Sequence, residues 1–158
     1  MKLSTNFVKD YVDIPEEIDL KHLAEDMTRV GNEYDSAEKL INCTNLTVGK
    51  VLECEDHPDS DHLHVCMVDV GEDEPIQIVC GAPNVAVGQK VPVALNGSTL
   101  PGGMKIKKGK LRGVMSNGMI CSHDELGIEP SRLGYEPEYG ILVLDETSEI
   151  GSDIKDLF

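Results

Sequence analysis

A run of positively charged side chains has the clearest chemical meaning in this sequence. Five of its 14 basic residues fall within eight positions, and we call them the cationic cluster: Lys105, Lys107, Lys108, Lys110 and Arg112. A polar turn, Ser116-Asn117-Gly118, and a short apolar strand follow. Cations, hydroxyls and exposed amides on a β-hairpin suit a polyanion with accessible bases, such as RNA. Alternatively, the lysines only keep a strand edge solvated and prevent it from pairing with other sheets.

The net charge opposes strong binding to a polyanion. The 158-residue chain has a formal charge of −15, whereas phosphate contacts normally dominate affinity for nucleic acid. Residues 41–151 contain 8 basic and 17 acidic residues, and the cationic cluster supplies five of those 8. A positive patch on a negative body can bind, but it steers a ligand poorly over long distances. We therefore expect weak or assisted binding.

A group of potential metal ligands lies further upstream. His57, His62 and His64 fall within eight positions together with Asp59 and Asp61, and imidazole and carboxylate groups bind metals. However, the HPDSDH run is typical of a turn followed by a strand, and no distal set of ligands accompanies it. We predict no metal site.

Catalytic residues are not predicted either. Cys80 lies in IVCGAPN behind an apolar strand pattern, which is typical of a buried structural thiol. The sequence has no HExxH motif, nucleophile elbow or Gly-rich phosphate loop. Its five cysteines form no CxxC pair, which is typical of free thiols in a reducing compartment.

No apolar run is long enough to span a membrane, and a signal peptide is not recognised, so we expect a cytoplasmic location.

These side chains must be positioned by short strands. From about Leu46 onward, β-branched or aliphatic runs are separated by Gly, Pro, Asn or Asp, a spacing that indicates a small antiparallel barrel. An OB-like barrel, which binds oligonucleotides on one face and its loops, is the natural candidate. The predicted strands are Val48–Glu55, Leu63–Val70, Ile76–Cys80, Val91–Leu95, Met104–Val114 and Ile141–Leu144.

Residues 1–40 predict a strand, a helix and a second strand. Asp19 or Pro15 provides helix-start chemistry, an apolar face follows, and Gly31 is a natural stop.

Further along, Ser122 and Glu125 have the spacing of a capping box, so the Ser122 hydroxyl either touches RNA or caps a short helical turn. The chain ends abruptly on Leu157-Phe158, and we expect it to be a fragment of a longer one.

Three separated motifs carry a family resemblance. HPDSDHLHVCMVDVG (residues 57–71), IQIVCGAPNVAVGQKVPVAL (76–95) and KLRGVMSNGMICS (110–122) resemble the tRNA-binding OB module of aminoacyl-tRNA synthetases. The family usually has Ala where this chain has Ser60. MKLSTNFVKDYVDIP (1–15) and LPGGMKIKKGKLRGV (100–114) are similar to the start of the bacterial phenylalanyl-tRNA synthetase β subunit.

The resemblance implies a mainly β fold with three parts. Residues 41–151 would be an OB-fold barrel, with a five-stranded core plus extra strands, inserted in a small, incomplete α/β subdomain. Residues 1–40 would be the first half of that subdomain, and 152–158 the start of its returning half. By position, the residues that match the module's nucleic-acid face are Asn84, Lys105, Lys107, Lys108, Lys110, Arg112, Ser116, Met119 and Ser122.

The resemblance also implies partner molecules and separate roles for the two kinds of subunit. The parent enzyme would charge tRNA with phenylalanine as an α2β2 assembly, using ATP and Mg²⁺ at a site on its α subunit. This chain would be a non-catalytic portion of the β subunit that binds tRNA, with no cofactor, no metal and no membrane contact of its own. In the alternative, the same barrel is a structural scaffold with little intrinsic affinity for RNA.

Overall fold

The computed structural model describes residues 4–15, 18–37, 41–133 and 135–157. They form two compact units, Met1–Leu40 and Ile41–Phe158. None of the helices in these parts of the chain has the length and apolar character of a membrane span.

Two helices occupy the first unit, α1 (Thr5–Lys9) and α2 (Leu20–Arg29). Asp19 is the N-cap of α2, and its carboxylate accepts a hydrogen bond from a backbone N–H of the first turn. At the other end, the N–H groups of Gly31 and Asn32 donate back to carbonyls of the last turn, as in a Schellman motif. The predicted helix is confirmed at both ends.

The strands predicted on either side of α2 are wrong where the structure describes them. Helix α1 occupies the first segment, and residues 32–37 contain no strand. Leu3 and residues 38–40 lie outside the described residues. A strand needs a neighbouring strand to pair its backbone groups, and the described part of this unit offers none, whereas a helix satisfies those groups within itself.

Seven strands lie in the described part of the second unit, and their architecture confirms the predicted OB-like fold. Five of them form an antiparallel sheet in the order β3-β2-β1-β4-β7, which curls into a nearly closed barrel, and the other two form a separate hairpin, β5-β6. The strands are β1 (Thr44–Asp56), β2 (His64–Asp69), β3 (Ile76–Cys80), β4 (Lys90–Thr99), β5 (Gly109–Leu111), β6 (Val114–Ser116) and β7 (Gly118–Ile120).

Side-chain hydrogen bonds help to close the gap between β3 and the corner that joins β6 to β7, and one of them runs from Gln77 Nε2 to the carbonyl of Met115 at 2.7 Å. The Ser116 hydroxyl accepts a hydrogen bond from the N–H of Val79 at 3.1 Å and donates to the carbonyl of Gly118 at 2.9 Å. Beside it, the N–H of Asn117 donates to the carbonyl of Gln77 at 2.8 Å. The backbone groups at this edge of the barrel are thus hydrogen-bonded partly to a hydroxyl and do not form a complete backbone ladder.

The core of the second unit is aliphatic, as a sequence without Trp predicts. One cluster lies among the main strands, around Val51, Ile78 and Val93. The other includes Leu126 and residues of the segments that follow β7. This second cluster extends the barrel with irregular chain that contributes fully buried side chains.

Two predicted strands have a different form. The predicted Met104–Val114 strand is interrupted by a loop and then enters the β5–β6 hairpin. The predicted Ile141–Leu144 strand makes only an isolated bridge, between Lys90 and Leu144. In both segments, the neighbouring backbone pairs with the predicted strand for only one to three residues.

The end of the chain lies against the barrel. The carbonyl of Ser152 accepts a hydrogen bond from the N–H of Val48 at 3.0 Å, and Asp153 forms a bridge with Thr47. Ile154 is fully buried in the core cluster that also contains Leu126. Residues 152–157 therefore lie in the same compact unit as the barrel, and the assignment of 152–158 to a returning subdomain, which the family resemblance implies, stays a prediction.

Candidate nucleic-acid interface

The first part of the cationic cluster is held beside the end of β4. Ile106 is buried, whereas Lys105, Lys107 and Lys108 are exposed. The N–H of Ile106 donates to the carbonyl of Ser98 at 2.9 Å, and the N–H of Lys108 donates to Asn96 Oδ1 at 3.0 Å. One apolar anchor thus fixes the segment, and the flanking lysines point to solvent.

The rest of the cluster lies on the β5–β6 hairpin. Leu111 pairs with Val114, and the two residues between them both have positive φ, 48° at Arg112 and 86° at Gly113. Two positive φ angles in a two-residue loop are what a type I′ turn requires. The cluster therefore does not form one continuous strand: Lys110 lies on β5, and Arg112 lies at the hairpin tip.

The hairpin tip is fastened to the loop that follows β1. His57 is buried, its Nε2–H donates to the carbonyl of Leu111 at 3.0 Å, and its Nδ1 accepts the N–H of Asp59 at 3.0 Å. These partners assign the hydrogen of the imidazole to Nε2. Arg112 adds a second link, because its Nη1 donates to the carbonyl of Asp59 at 3.1 Å.

The other histidines of this region face different partners. His62 Nδ1 lies 3.4 Å from the Ser60 hydroxyl, and His64 Nδ1 lies 3.4 Å from a carboxylate oxygen of Asp56. In the described ranges, no three His, Cys, Asp or Glu side chains come together as a metal site would require. Of these residues, His57 and Asp59 hold the hairpin tip.

A groove of about 910 Å³ runs between the hairpin and the segments around residues 122–125 and 137–141. Lys105, Lys107 and Lys110 line it, and among the described residues none of the five cationic-cluster side chains forms an ion pair. Asp124 and Glu138 also line the groove. The groove therefore has both cationic and acidic components.

The structure brings most of the predicted site residues to this groove. Those that line it are Lys105, Lys107, Lys110, Ser116, Met119 and Ser122. Lys108 and Arg112 are exposed but are not among the lining residues, and Asn84 lines a smaller neighbouring pocket of about 390 Å³. Their contact with RNA stays a prediction.

Two predicted hydroxyl contacts are already used within the protein. The buried Ser116 hydroxyl makes the two bonds that close the barrel. The Ser122 hydroxyl accepts the N–H of Glu125 at 3.2 Å, and Glu125 Oε2 accepts the N–H of Ser122 at 2.7 Å. This reciprocal pair is a capping box. The capping interpretation of Ser122 is confirmed.

Asn84 is likewise occupied, and it fixes one border of the groove. Its Nδ2 donates to the carbonyl of Ile141 at 3.0 Å, and its Oδ1 accepts the N–H of the same residue at 2.9 Å. Gly140 has φ +123°, and a Cβ there would collide with the Asn84 carboxamide. Asn84 thus positions the backbone next to Tyr139.

Sequence reasoning missed the large exposed side chains of the groove. Tyr139 is 88% exposed, Met104 is 58% exposed and Leu111 is 47% exposed, and all three line the groove. Tyr139 stands alone in the sequence EPEYG, without the periodic pattern that marks a strand or helix face. The only available signal was an aromatic residue in a polar, Pro- and Gly-containing segment.

The buried thiols have no features of a nucleophile. Cys80 and Cys121 are 5% and 0% exposed, and burial raises the pKa of both thiols above the usual value. Cys66 is fully buried 3.7 Å from the Cys54 sulfur, and burial is also the main cause of its raised pKa. A raised pKa leaves less of the reactive thiolate at neutral pH.

The chain is similar in sequence to known proteins. Residues 46–153 match the family described as "Putative tRNA binding domain". The chain is 48% identical to a phenylalanine–tRNA ligase beta subunit of Clostridium acetobutylicum over 99% of its length, and 52% identical to one of Latilactobacillus sakei over 98%. It spans about 19% of the length of each of these curated relatives.

Among solved structures, the chain is similar to a MetRS-related protein from Pyrococcus horikoshii. The TM-score is 0.48 and the sequence identity is 21%, over 69% of this chain and 87% of that chain.

Proposed function

Because the chain belongs to the tRNA-binding-domain family, we propose that it binds tRNA through the cationic cluster beside its groove. The observation that carries this proposal is the concentration of five cations, none in an ion pair among the described residues, on one part of a chain with net charge −15. Lys and Arg position a nucleic acid by contacting its phosphates, and they carry no sequence information in doing so.

Internal contacts of the protein hold the backbone that carries these cations. Ile106 anchors the lysines of the first segment, and His57 holds the hairpin that carries Lys110 and Arg112. Side chains on a fixed backbone lose less conformational entropy on binding than side chains on a mobile loop. Asn84, Ser116 and Ser122 support the groove from within, and their internal hydrogen bonds favour a positioning role in this function.

We further propose that this chain is a non-catalytic portion of a phenylalanine–tRNA ligase β subunit. Identities of 48% and 52% to curated β subunits support the assignment. On this proposal, a partner α subunit activates phenylalanine with ATP and Mg²⁺ in the cytoplasm. The chain described here contributes tRNA contacts without a cofactor of its own.

A matched pair of variants tests the tRNA contact. The triple variant Lys105→Ala/Lys107→Ala/Lys110→Ala removes three groove lysines, and Lys9→Ala/Lys21→Ala/Lys155→Ala removes three exposed lysines elsewhere, so both change the net charge equally. Binding of bulk tRNA is measured over a salt series. We expect the groove variant alone to flatten the log–log salt slope, by about 0.7–0.9 for each replaced lysine that touches a phosphate in the wild type.

A second function, that of a structural scaffold, is favoured by one observation. Asp124 and Glu138 lie in the same groove as the lysines, and carboxylates repel phosphate. On this alternative, neither the wild type nor the variants bind tRNA at about 50 mM salt, a concentration at which electrostatic contacts are strong. Equal weakening by the two triple variants would argue that net charge alone governs the interaction.

A further inference from the structure

Tyr139 is the most exposed large side chain of the groove, and its surroundings are chemically specific. The residue is 88% exposed, and it shares the groove with Lys105 and Lys107. No hydrogen bond or ion pair engages it within the part of the chain that the structure describes. An aromatic ring presented to solvent beside cations combines a stacking surface for a base with charges for the adjoining phosphates.

The backbone that carries this ring is fixed. Ile141 is buried, and both its N–H and its carbonyl are bonded to the Asn84 carboxamide. Gly140 provides the positive φ that links this anchored residue to Tyr139. A stacking ring on such a backbone is preorganised, because little chain entropy is lost when a ligand packs on it.

The other residues that line the groove suit a base better than they suit a phosphate backbone. Met104 and Leu111 present apolar surface, which phosphates cannot use but a base can. The carboxylates of Asp124 and Glu138 repel phosphate, yet they accept hydrogen bonds from the amino groups of bases. Asp124 is 85% exposed and lies 3.3 Å from His123 Nδ1, which leaves carboxylate oxygen accessible.

We propose that the groove takes up an unpaired nucleotide of RNA, which stacks on Tyr139 while the groove lysines neutralise its flanking phosphates. This inference rests on the proposed function and makes it more specific. Paired bases in an RNA helix present only their edges, so the stacking surface and the acidic acceptors have a use only for a base outside a helix.

Three probes test the inference at about 50 mM salt, where electrostatic contacts are strong: a single-stranded RNA 12-mer, the blunt duplex of the same sequence, and bulk tRNA. They are titrated against the wild type, Tyr139→Ala, Tyr139→Phe and Tyr135→Ala. Tyr135 is 54% exposed but does not line the groove, so its variant is the matched control. Tyr139 is so exposed that its replacement leaves the fold unchanged.

We expect the single strand to compete with tRNA and to bind more tightly than the duplex. Tyr139→Ala should weaken binding of the single strand by about 5-fold to 100-fold, the usual contribution of one stacked base. Tyr139→Phe and Tyr135→Ala should bind as the wild type does, since phenylalanine keeps the ring and Tyr135 lies outside the groove.

The outcomes separate this inference from the function on which it rests. If tRNA binding depends on the groove lysines but not on Tyr139, or if the duplex binds as well as the single strand, the inference is overturned and the proposed function stands. If the wild type binds neither tRNA nor the 12-mer, both fail.

The two carboxylates add a test of base preference. Oligocytidine offers an amino donor where oligouridine offers a carbonyl acceptor, and both are flexible single strands. We expect tighter binding of oligocytidine and loss of this preference in Asp124→Asn/Glu138→Gln. Equal affinity of the wild type for the two oligonucleotides would overturn the role of the carboxylates in reading the base.

Discussion

Arg112 has a backbone conformation that its residue type disfavours. Its φ of 48° lies in the left-handed region, which costs most residues about 1–2 kcal/mol. Asparagine tolerates this conformation and is preferred in type I′ turns. Arginine at this position donates to the carbonyl of Asp59 at 3.1 Å, and this bond offsets part of the cost.

Arg112→Asn should therefore separate stability from binding. Asparagine relieves the strained φ but loses the bond from Arg112 to the carbonyl of Asp59, and such a bond is worth about 0.5–1.5 kcal/mol. We therefore expect the free energy of unfolding to stay within about 1 kcal/mol of the wild type, while the affinity for tRNA falls. Gly113→Ala should lower the free energy of unfolding and leave the affinity for tRNA unchanged, because φ 86° strains alanine although the space around it is open. Urea unfolding and tRNA titration of both variants check this, and a larger destabilisation of Arg112→Asn would contradict it.

His57 connects two loops through both of its ring nitrogens. Replacement by leucine leaves the carbonyl of Leu111 and the N–H of Asp59 without this partner. We expect His57→Leu to lower the free energy of unfolding by about 1–3 kcal/mol, the usual net contribution of two hydrogen bonds. The exposed His62 provides the control, since His62→Leu should change stability by less than about 0.5 kcal/mol. Similar losses in both variants would show that the ring of His57 is not a special link.

Among the strands, the contact of β3 with the β6–β7 corner includes one buried hydroxyl, that of Ser116. Ser116→Ala removes the hydroxyl that accepts the N–H of Val79, so a buried donor is left unpaired. We expect a loss of about 1–3 kcal/mol in the free energy of unfolding. Ser131→Ala, at an exposed position, should be within about 0.5 kcal/mol of the wild type. If Ser116→Ala is equally harmless, backbone contacts alone close the barrel.

The sequence predicted an element well where its local signals, such as turn residues and helix caps, agree with its pattern of burial. The bounds of β3 are those predicted, because five apolar or β-compatible residues lie between clear turn signals. The helix α2 and the capping box at Ser122 were predictable because their hydrogen bonds join residues close in sequence. Such elements need no knowledge of the rest of the chain.

Elements that depend on distant partners were predicted less well. The turn of the cationic hairpin lies at Arg112-Gly113 and not at Ser116-Asn117-Gly118, since an arginine with positive φ has no clear sequence signal. The internal roles of Asn84 and Ser116 depend on Ile141 and Val79, which are far from them in the chain. Hydrogen bonds of this kind follow from the tertiary fold, so polar residues at these positions resemble exposed contacts in the sequence alone.

Considered as a whole, the barrel unit protects most of its thiols from solvent. Burial raises the pKa values of Cys43, Cys66, Cys80 and Cys121, so their thiolate fractions fall below those of free cysteine at any given pH. We expect iodoacetamide at a mildly alkaline pH to modify these four slowly in the native chain and rapidly in urea. Mass spectrometry of timed samples measures this. Rapid native modification of Cys80 or Cys121 would contradict the packing of the core.

The close approach of the Asn84 carboxamide to Gly140 restricts which residues position 140 can hold. Any side chain at position 140 would meet the carboxamide at position 84 and would also have to accept φ +123°. A lineage that keeps Asn84 is therefore expected to keep glycine at 140. Loss of Asn84 removes the collision but leaves the positive φ, so glycine at 140 is expected to outlast the amide, although the two are distant in the chain.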